Sequence, residues 1–165
     1  MSATNQSDLN LSFSHSAEIF GIPSNLRSSM ESVIWDNINN KRMAIKKLES
    51  KFPYEWTSQV AKDALIARGE RFPYLKEQLD FIVGYVIKLA HVNRQFRDAD
   101  KTKRLLPYLK IMRGSAIIDC PIHSEFIDHV YEVTDKFWIK YPVGKHIDCS
   151  CSIRTISKHE FNNSH

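Results

Sequence analysis

The chain has three cysteines, and all of them fall between positions 120 and 151. They occur as Cys120-Pro-Ile-His123 and, much later, as Cys149-Ser-Cys151. Thiolate and imidazole are the donors that zinc prefers, and a spacer of two residues lets one turn aim both donors at one ion. The Cys-x-Cys half has a shorter spacer than structural sites usually show. Residues two apart on an extended strand share a face, however, so both sulfurs can meet one ion. Otherwise only one of them binds and His146 takes the remaining place. Cys120, His123, Cys149 and Cys151 are therefore the candidate metal ligands, with His146 as the alternative. Spacing alone leaves three states open: bound Zn2+, three free thiols, which are among the most buried side chains in proteins, and a disulfide between Cys120 and one of the later pair.

The odd cysteine count and the opening MSATNQSDLN, which has neither the basic nor the apolar segment of a secretory signal, lead us to expect a chain that works inside a cell with reduced thiols. With 165 residues, of which 42% are hydrophobic and 25% charged, the chain can bury a core and is not disordered. The richest apolar stretch, Phe81 to Val92, is interrupted by Lys88 and is too short to span a bilayer, so no membrane partner is expected. The chain carries a formal charge of +4. Between Arg94 and Arg113, however, Arg94, Arg97, Lys101, Lys103, Arg104, Lys110 and Arg113 face only Asp98 and Asp100. Such a run reads as a solvated helix end and loop, or as a surface for nucleic acid or another partner.

Residues 1–20 are rich in Ser and Asn and are expected to form a mobile arm. From Ser24 to Phe52, Leu26, Met30, Val33, Ile34, Ile38, Ile45, Leu48 and Phe52 recur at three- and four-residue steps, the mark of one long amphipathic helix weakened at Asn39-Asn40. A second helix is expected from Pro53 to Gly69 and a third from Pro73 to about Phe96, each opened by a Phe-Pro-Tyr sequence. The pattern then becomes extended, with strands expected at 106–112, 130–133 and 150–157. In the last of these, Cys151, Ile153 and Thr155 lie on one face, and Arg154 and Ile156 on the other. The expected fold class is α+β. About three helices in 21–103 are followed by a small mixed α/β module in 104–157, which zinc clips if the metal-bound state is the right one of the three, and by a frayed tail in 158–165.

Catalytic signals are scarce. The chain lacks a Gly-rich phosphate loop, Gly-x-Ser-x-Gly and His-Glu-x-x-His. The histidines outside the cluster form no ligand set, and Asp128-His129 has no nucleophile nearby in sequence. The chain is expected not to be an enzyme.

A second pattern runs through the cysteine window. In order it reads Pro107-Tyr108, His123, Val130-Tyr131, Asp135-x-Phe137-Trp138, Tyr141-Pro142 with Gly144, and Cys149-Ser-Cys151 leading into Ile153-Arg-Thr-Ile156. Residues 106–157 thereby resemble the C-terminal module of the phage Mu F-like head morphogenesis (minor capsid) proteins. The turn glycine of that family is replaced at Asp128-His129, the second proline of its loop by Val143, and the arginine between its cysteines by Ser150. The resemblance implies a head-assembly or minor virion protein, found in the virion or the host cytoplasm. Its implied partners are capsid or portal proteins or DNA, and self-association into a ring or pair is compatible with it. Two other readings accompany it: a phage- or prophage-encoded protein that binds a host factor or nucleic acid, and a toxin or effector.

Overall fold

The computed structural model of the chain describes residues 3–114 and 119–163. The fold is α+β, with seven helices and one three-stranded antiparallel sheet among the described residues. The chain divides into two compact units, Thr4–Ala90 and His91–His165, the second also including the first residues of the chain. No helix among the described residues is long and apolar enough to cross a membrane.

The first unit is helical. The segment expected to be mobile instead forms α1, Gln6–Ile19. A reciprocal capping box opens it, with Asn5 accepting from the Asp8 N–H at 2.9 Å and Asp8 accepting from the Asn5 N–H at 3.0 Å. Its serines mislead a reading based on polarity, because Ser12 and Ser16 donate their hydroxyls to the carbonyls of Asp8 and Ser12, at 2.7 and 2.6 Å. With their polar atoms satisfied inside the helix, they share the buried face of Leu9, Phe13 and Ala17. Phe20 follows and meets Phe81 and Tyr85 edge to face.

The long helix expected from Ser24 to Phe52 is two helices, α2 (Ser24–Asp36) and α3 (Lys41–Glu49). The break falls at the asparagines, where Asn37 donates its amide to the Val33 carbonyl and Asn40 caps α3 by accepting from the Met43 N–H. Helix α4, Gln59–Ala67, opens at Ser58 rather than at Pro53. The two Phe-Pro-Tyr sequences therefore do different work. Phe52 is buried against Trp56 in a turn, whereas Phe72 is exposed and leads into α5, Leu75–Thr102. The buried Gln78 joins these loops, since its Oε1 accepts from the Ser58 N–H (2.8 Å) and the Thr57 hydroxyl (3.0 Å) while its Nε2 donates to the Pro73 carbonyl (2.8 Å).

The second unit starts within α5 and contains the sheet, ordered β2-β1-β3. The strands are β1 (Tyr108–Met112), β2 (Val130–Glu132) and β3 (Ser152–Ile156). Leu109 lies opposite Thr155 and Tyr131, and Ile111 opposite Ile153, so these residues share one face. That face belongs to a core with Val92, Phe96 and Ala99 of α5 and with Trp138 and Val143. On the other face Ile156 lies opposite Tyr108, and the ring of Phe161 stacks on Tyr108 at 4.4 Å. Phe161 belongs to α7, Lys158–Asn163, so the expected frayed tail is helical through that stretch, and Arg154 pairs with Glu160. The short helix α6, Phe137–Lys140, completes the unit.

Replacing Gln78 with alanine removes three hydrogen bonds and leaves the Ser58 N–H buried without its acceptor. Gln78→Ala is expected to destabilise the helical unit by about 1–3 kcal/mol, read as a lower urea midpoint, and a midpoint equal to that of the unaltered chain would remove Gln78 as the tie between the loops.

Candidate metal centre

Cys120 and His123 are brought together by a turn in which the Ser124 N–H donates to the Cys120 carbonyl at 3.1 Å, followed by a 3-10 turn over Ser124–Phe126. Cys149 and Cys151 come from the chain entering β3, which a close backbone passage holds against the end of β1. A Cβ on Gly114 would lie 2.0 Å from the Ser150 carbonyl oxygen, so only glycine fits there. The turn and this strand entry meet beside the inner face of the sheet.

The four side chains form one cluster. Cys120, His123, Cys149 and Cys151 are all buried, and their three sulfurs and one ring nitrogen lie within 4.8 Å of one another. His123 Nδ1 is 3.3 Å from Cys120 Sγ and 3.5 Å from Cys149 Sγ. This is the set read from the sequence, with Cys151 as the fourth member. The alternative ligand His146 stands apart, its Nδ1 accepting from the Asp148 N–H at 3.2 Å. None of the three cysteines is in a disulfide. The cluster can hold one metal ion.

Two contacts outside the donor set orient it. His123 Nε2 lies 3.1 Å from the Tyr141 carbonyl, which can only accept, so Nε2 carries a proton and Nδ1 is the ring nitrogen that faces the sulfurs. The Gly144 N–H donates to Cys149 Sγ at 3.2 Å, and Gly144 has a left-handed φ of 82°. Both contacts come from the loop after α6, which places the Tyr-Pro-x-Gly sequence around the centre. The protons of the cluster are already unevenly held. Hydrogen bonding from Cys151 lowers the Cys149 pKa to about 3, against the opposing effect of burial and with help from His123 and the Gly144 N–H. The same bond and burial raise the pKa of Cys151. Burial pulls the His123 pKa down, but hydrogen bonds to Cys149, the Tyr141 carbonyl and Cys120 lift it to about 9. Metal binding then displaces protons chiefly from His123 and Cys151.

An aromatic wall stands beside the centre. Asp135 accepts from the Phe137 N–H at 2.7 Å and fixes the start of α6. Phe137 stacks on Tyr131 at 3.8 Å with the rings 9° from parallel, and it also meets Phe126 and Tyr141. Trp138 packs edge to face on Phe96 and donates its indole N–H to the Glu132 carbonyl at 2.8 Å. Sequence reasoning placed Tyr131, Phe137, Trp138 and Tyr141 in the motif pattern but not Phe126. It missed the Tyr141 carbonyl and the Gly144 N–H, because main-chain donors and acceptors leave no trace in residue types beyond the turn-forming Pro142 and Gly144.

The basic residues singled out in the sequence are spread over the unit. Arg94 and Lys101 line one groove of α5. Arg97 donates to the Ala3 carbonyl and lies 3.7 Å from Asp98. Lys103 pairs with Asp100 and Lys110 with Asp128, both at 2.7 Å, while Arg113 pairs with Asp119. Arg104 is exposed beyond the end of α5, and Lys110 lies on the sheet face opposite to Leu109.

Gly144→Ala forces a side chain into a left-handed backbone and disturbs the N–H donated to Cys149. Metal affinity, measured by competition with a chromogenic chelator, is expected to fall roughly tenfold or more, and an unchanged affinity would show that this N–H does not tune the centre.

Compared with models of known families, with curated proteins and with solved structures, the chain matches none of them.

Proposed function

We propose that the ion is zinc and that the module around it is the non-catalytic, partner-binding part of a phage head-assembly or minor virion protein. The observation that carries this reading is the convergence of the motif residues on one centre. His123, Cys149 and Cys151 supply donors. Tyr141 and Gly144 orient them, and Asp135, Phe137 and Trp138 build the adjoining wall. Four separated motifs that serve one construction support descent from that module better than chance likeness does.

The donor set favours zinc over other ions. Three thiolates and one imidazole suit a tetrahedral d10 ion, and Zn–S of about 2.3 Å with Zn–N of about 2.0–2.1 Å requires S···N separations of roughly 3.5 Å. The two short Nδ1–Sγ distances, 3.3 and 3.5 Å, lie at that value. Four protein donors also close the coordination sphere, leaving no position for water or substrate, which is the arrangement of structural rather than catalytic zinc. A capsid or portal protein is a better-supported partner than DNA. Arg97, Lys103, Lys110 and Arg113 each lie near a carboxylate, so the basic run offers phosphates less than its charge sum suggests.

Protein purified without chelator is expected to contain about one zinc per chain. Stripping it should unfold the sheet unit, read as loss of near-ultraviolet signal from Trp138, and readdition of zinc should restore the signal. Elemental analysis showing another metal, or none, would overturn the zinc assignment. The assembly reading is tested separately, by sedimenting head particles made from the genome that encodes the chain. The chain should travel with the particles, and Cys149→Ser should lower its share. Its absence from particles overturns that reading while leaving the zinc assignment intact.

A further inference from the structure

Among the described residues β3 is an edge strand with no further partner, and its register says which groups its outer edge offers. Ile111 uses both of its main-chain groups towards β2, donating to the His129 carbonyl at 3.1 Å and accepting from the Asp128 N–H at 2.9 Å. Main-chain groups alternate sides along a strand, so Tyr108, Lys110 and Met112 point their groups at β3 and meet Ile156, Arg154 and Ser152. The N–H and C=O of Ile153 and Thr155 therefore point away from β1. Among the described residues, no turn, loop or cap hydrogen bond reaches these four groups.

Beside this edge runs a groove of about 430 Å³ between β3 and the last turns of α5. Ile153 and Thr155 line it, so the unpaired main chain and the groove belong to one surface. Leu106, Leu109 and Ala99 give it an apolar floor. Its charged lining is mostly cationic, with Arg94, Lys101 and Arg154 against Asp98. Arg154 is already paired with Glu160 and Asp98 lies near Arg97, which leaves Arg94 and Lys101 as the cations that set the field. They are seven residues apart on one helix, about 10 Å along its axis, the span of about three residues of extended peptide.

We infer that this edge and groove bind an extended segment of a partner protein by strand addition, with alternate apolar side chains entering the groove and acidic residues flanking them. The inferred mode uses main-chain pairing for affinity and the groove for selection. An unpaired edge also invites unwanted pairing, and native proteins usually blunt such edges; among the described residues of β3 the exposed Arg154 serves that end. The inference deepens the partner-binding reading above and rests on it for the existence of a partner. It does not depend on the metal.

The test uses the full chain and a blocked, fluorescein-labelled nonapeptide, Asp-Glu-Val-Thr-Val-Thr-Val-Glu-Asp, with a control in which lysine replaces every acid. Fluorescence anisotropy is expected to show saturable binding of the acidic peptide with a Kd below about 1 mM, and at least tenfold weaker binding of the lysine control. Thr155→Pro removes an N–H that faces outward and spares the ladder to β1, because proline is tolerated where the strand N–H faces solvent. It should weaken peptide binding at least tenfold. The double surface variant Arg94→Glu with Lys101→Glu should invert the preference between the two peptides, and it guards against misfolding of the proline variant. Equal binding of both peptides, no saturation, or full affinity in both variants overturns the inference. A concentration-dependent dimer that Thr155→Pro dissociates would show that a second copy occupies the edge, which also overturns assignment to a partner segment. Because purified protein and peptide suffice, these outcomes are independent of particle association.

Discussion

The imidazole of His123 joins the pieces of the second unit. One ring nitrogen faces Cys120 and Cys149, and the other meets the Tyr141 carbonyl, so one side chain ties the first turn, the loop after α6 and the entry to β3. A sheet with strands of five, three and five residues is too small to supply much core of its own. Small units of this kind need a staple, and an ion bound by four donors from separated segments provides one whose binding free energy is also folding free energy.

The aromatic wall depends on the same closure. Phe137 and Trp138 occupy adjacent positions on a single helical turn, one stacking on Tyr131 and the other reaching Phe96. A four-residue helix cannot hold that geometry alone. It is held at its start by Asp135 and at its end by the segment that gives His123 its carbonyl partner. Metal donors, loop and aromatics therefore form one mechanical set, in which a change to the loop reaches the core as readily as it reaches the ligands.

Much of this was legible in the sequence, and for a physical reason. Ligand pairs two and three residues apart and alternating strands are local features, and local spacing survives into the fold. The faces of β3 follow directly from its alternation. Helix α1 was not legible, because a serine that returns its hydroxyl to its own helix buries like a small apolar residue while counting as polar in composition. The break between α2 and α3 was half visible: Asn39-Asn40 marked the place, but the capping by Asn40 decided it. The choice of Cys151 over His146 was open because both are close to Cys149 in sequence, and only the turn in which Asp148 bonds His146 separates them. The basic run was legible as a sum and misleading as a surface, since helix and strand geometry distribute its members over different faces.

Asp128 shows how a tight turn can carry a charge in place of a glycine. It has a left-handed φ of 68°, the only non-glycine residue of that kind among those described. Asp tolerates this region better than most residues, and its carboxylate pairs with Lys110 across the turn. The turn thus carries a charge pair on the solvent side of the sheet. The same logic applies to the metal centre, whose ligands lie buried beneath elements that present quite different side chains outward. A closed, buried centre fixes the shape of the surface without taking part in recognition. What the chain binds must then be set by groups that the fold leaves unpaired at its boundary, and those are read from strand register and groove lining rather than from the cysteines.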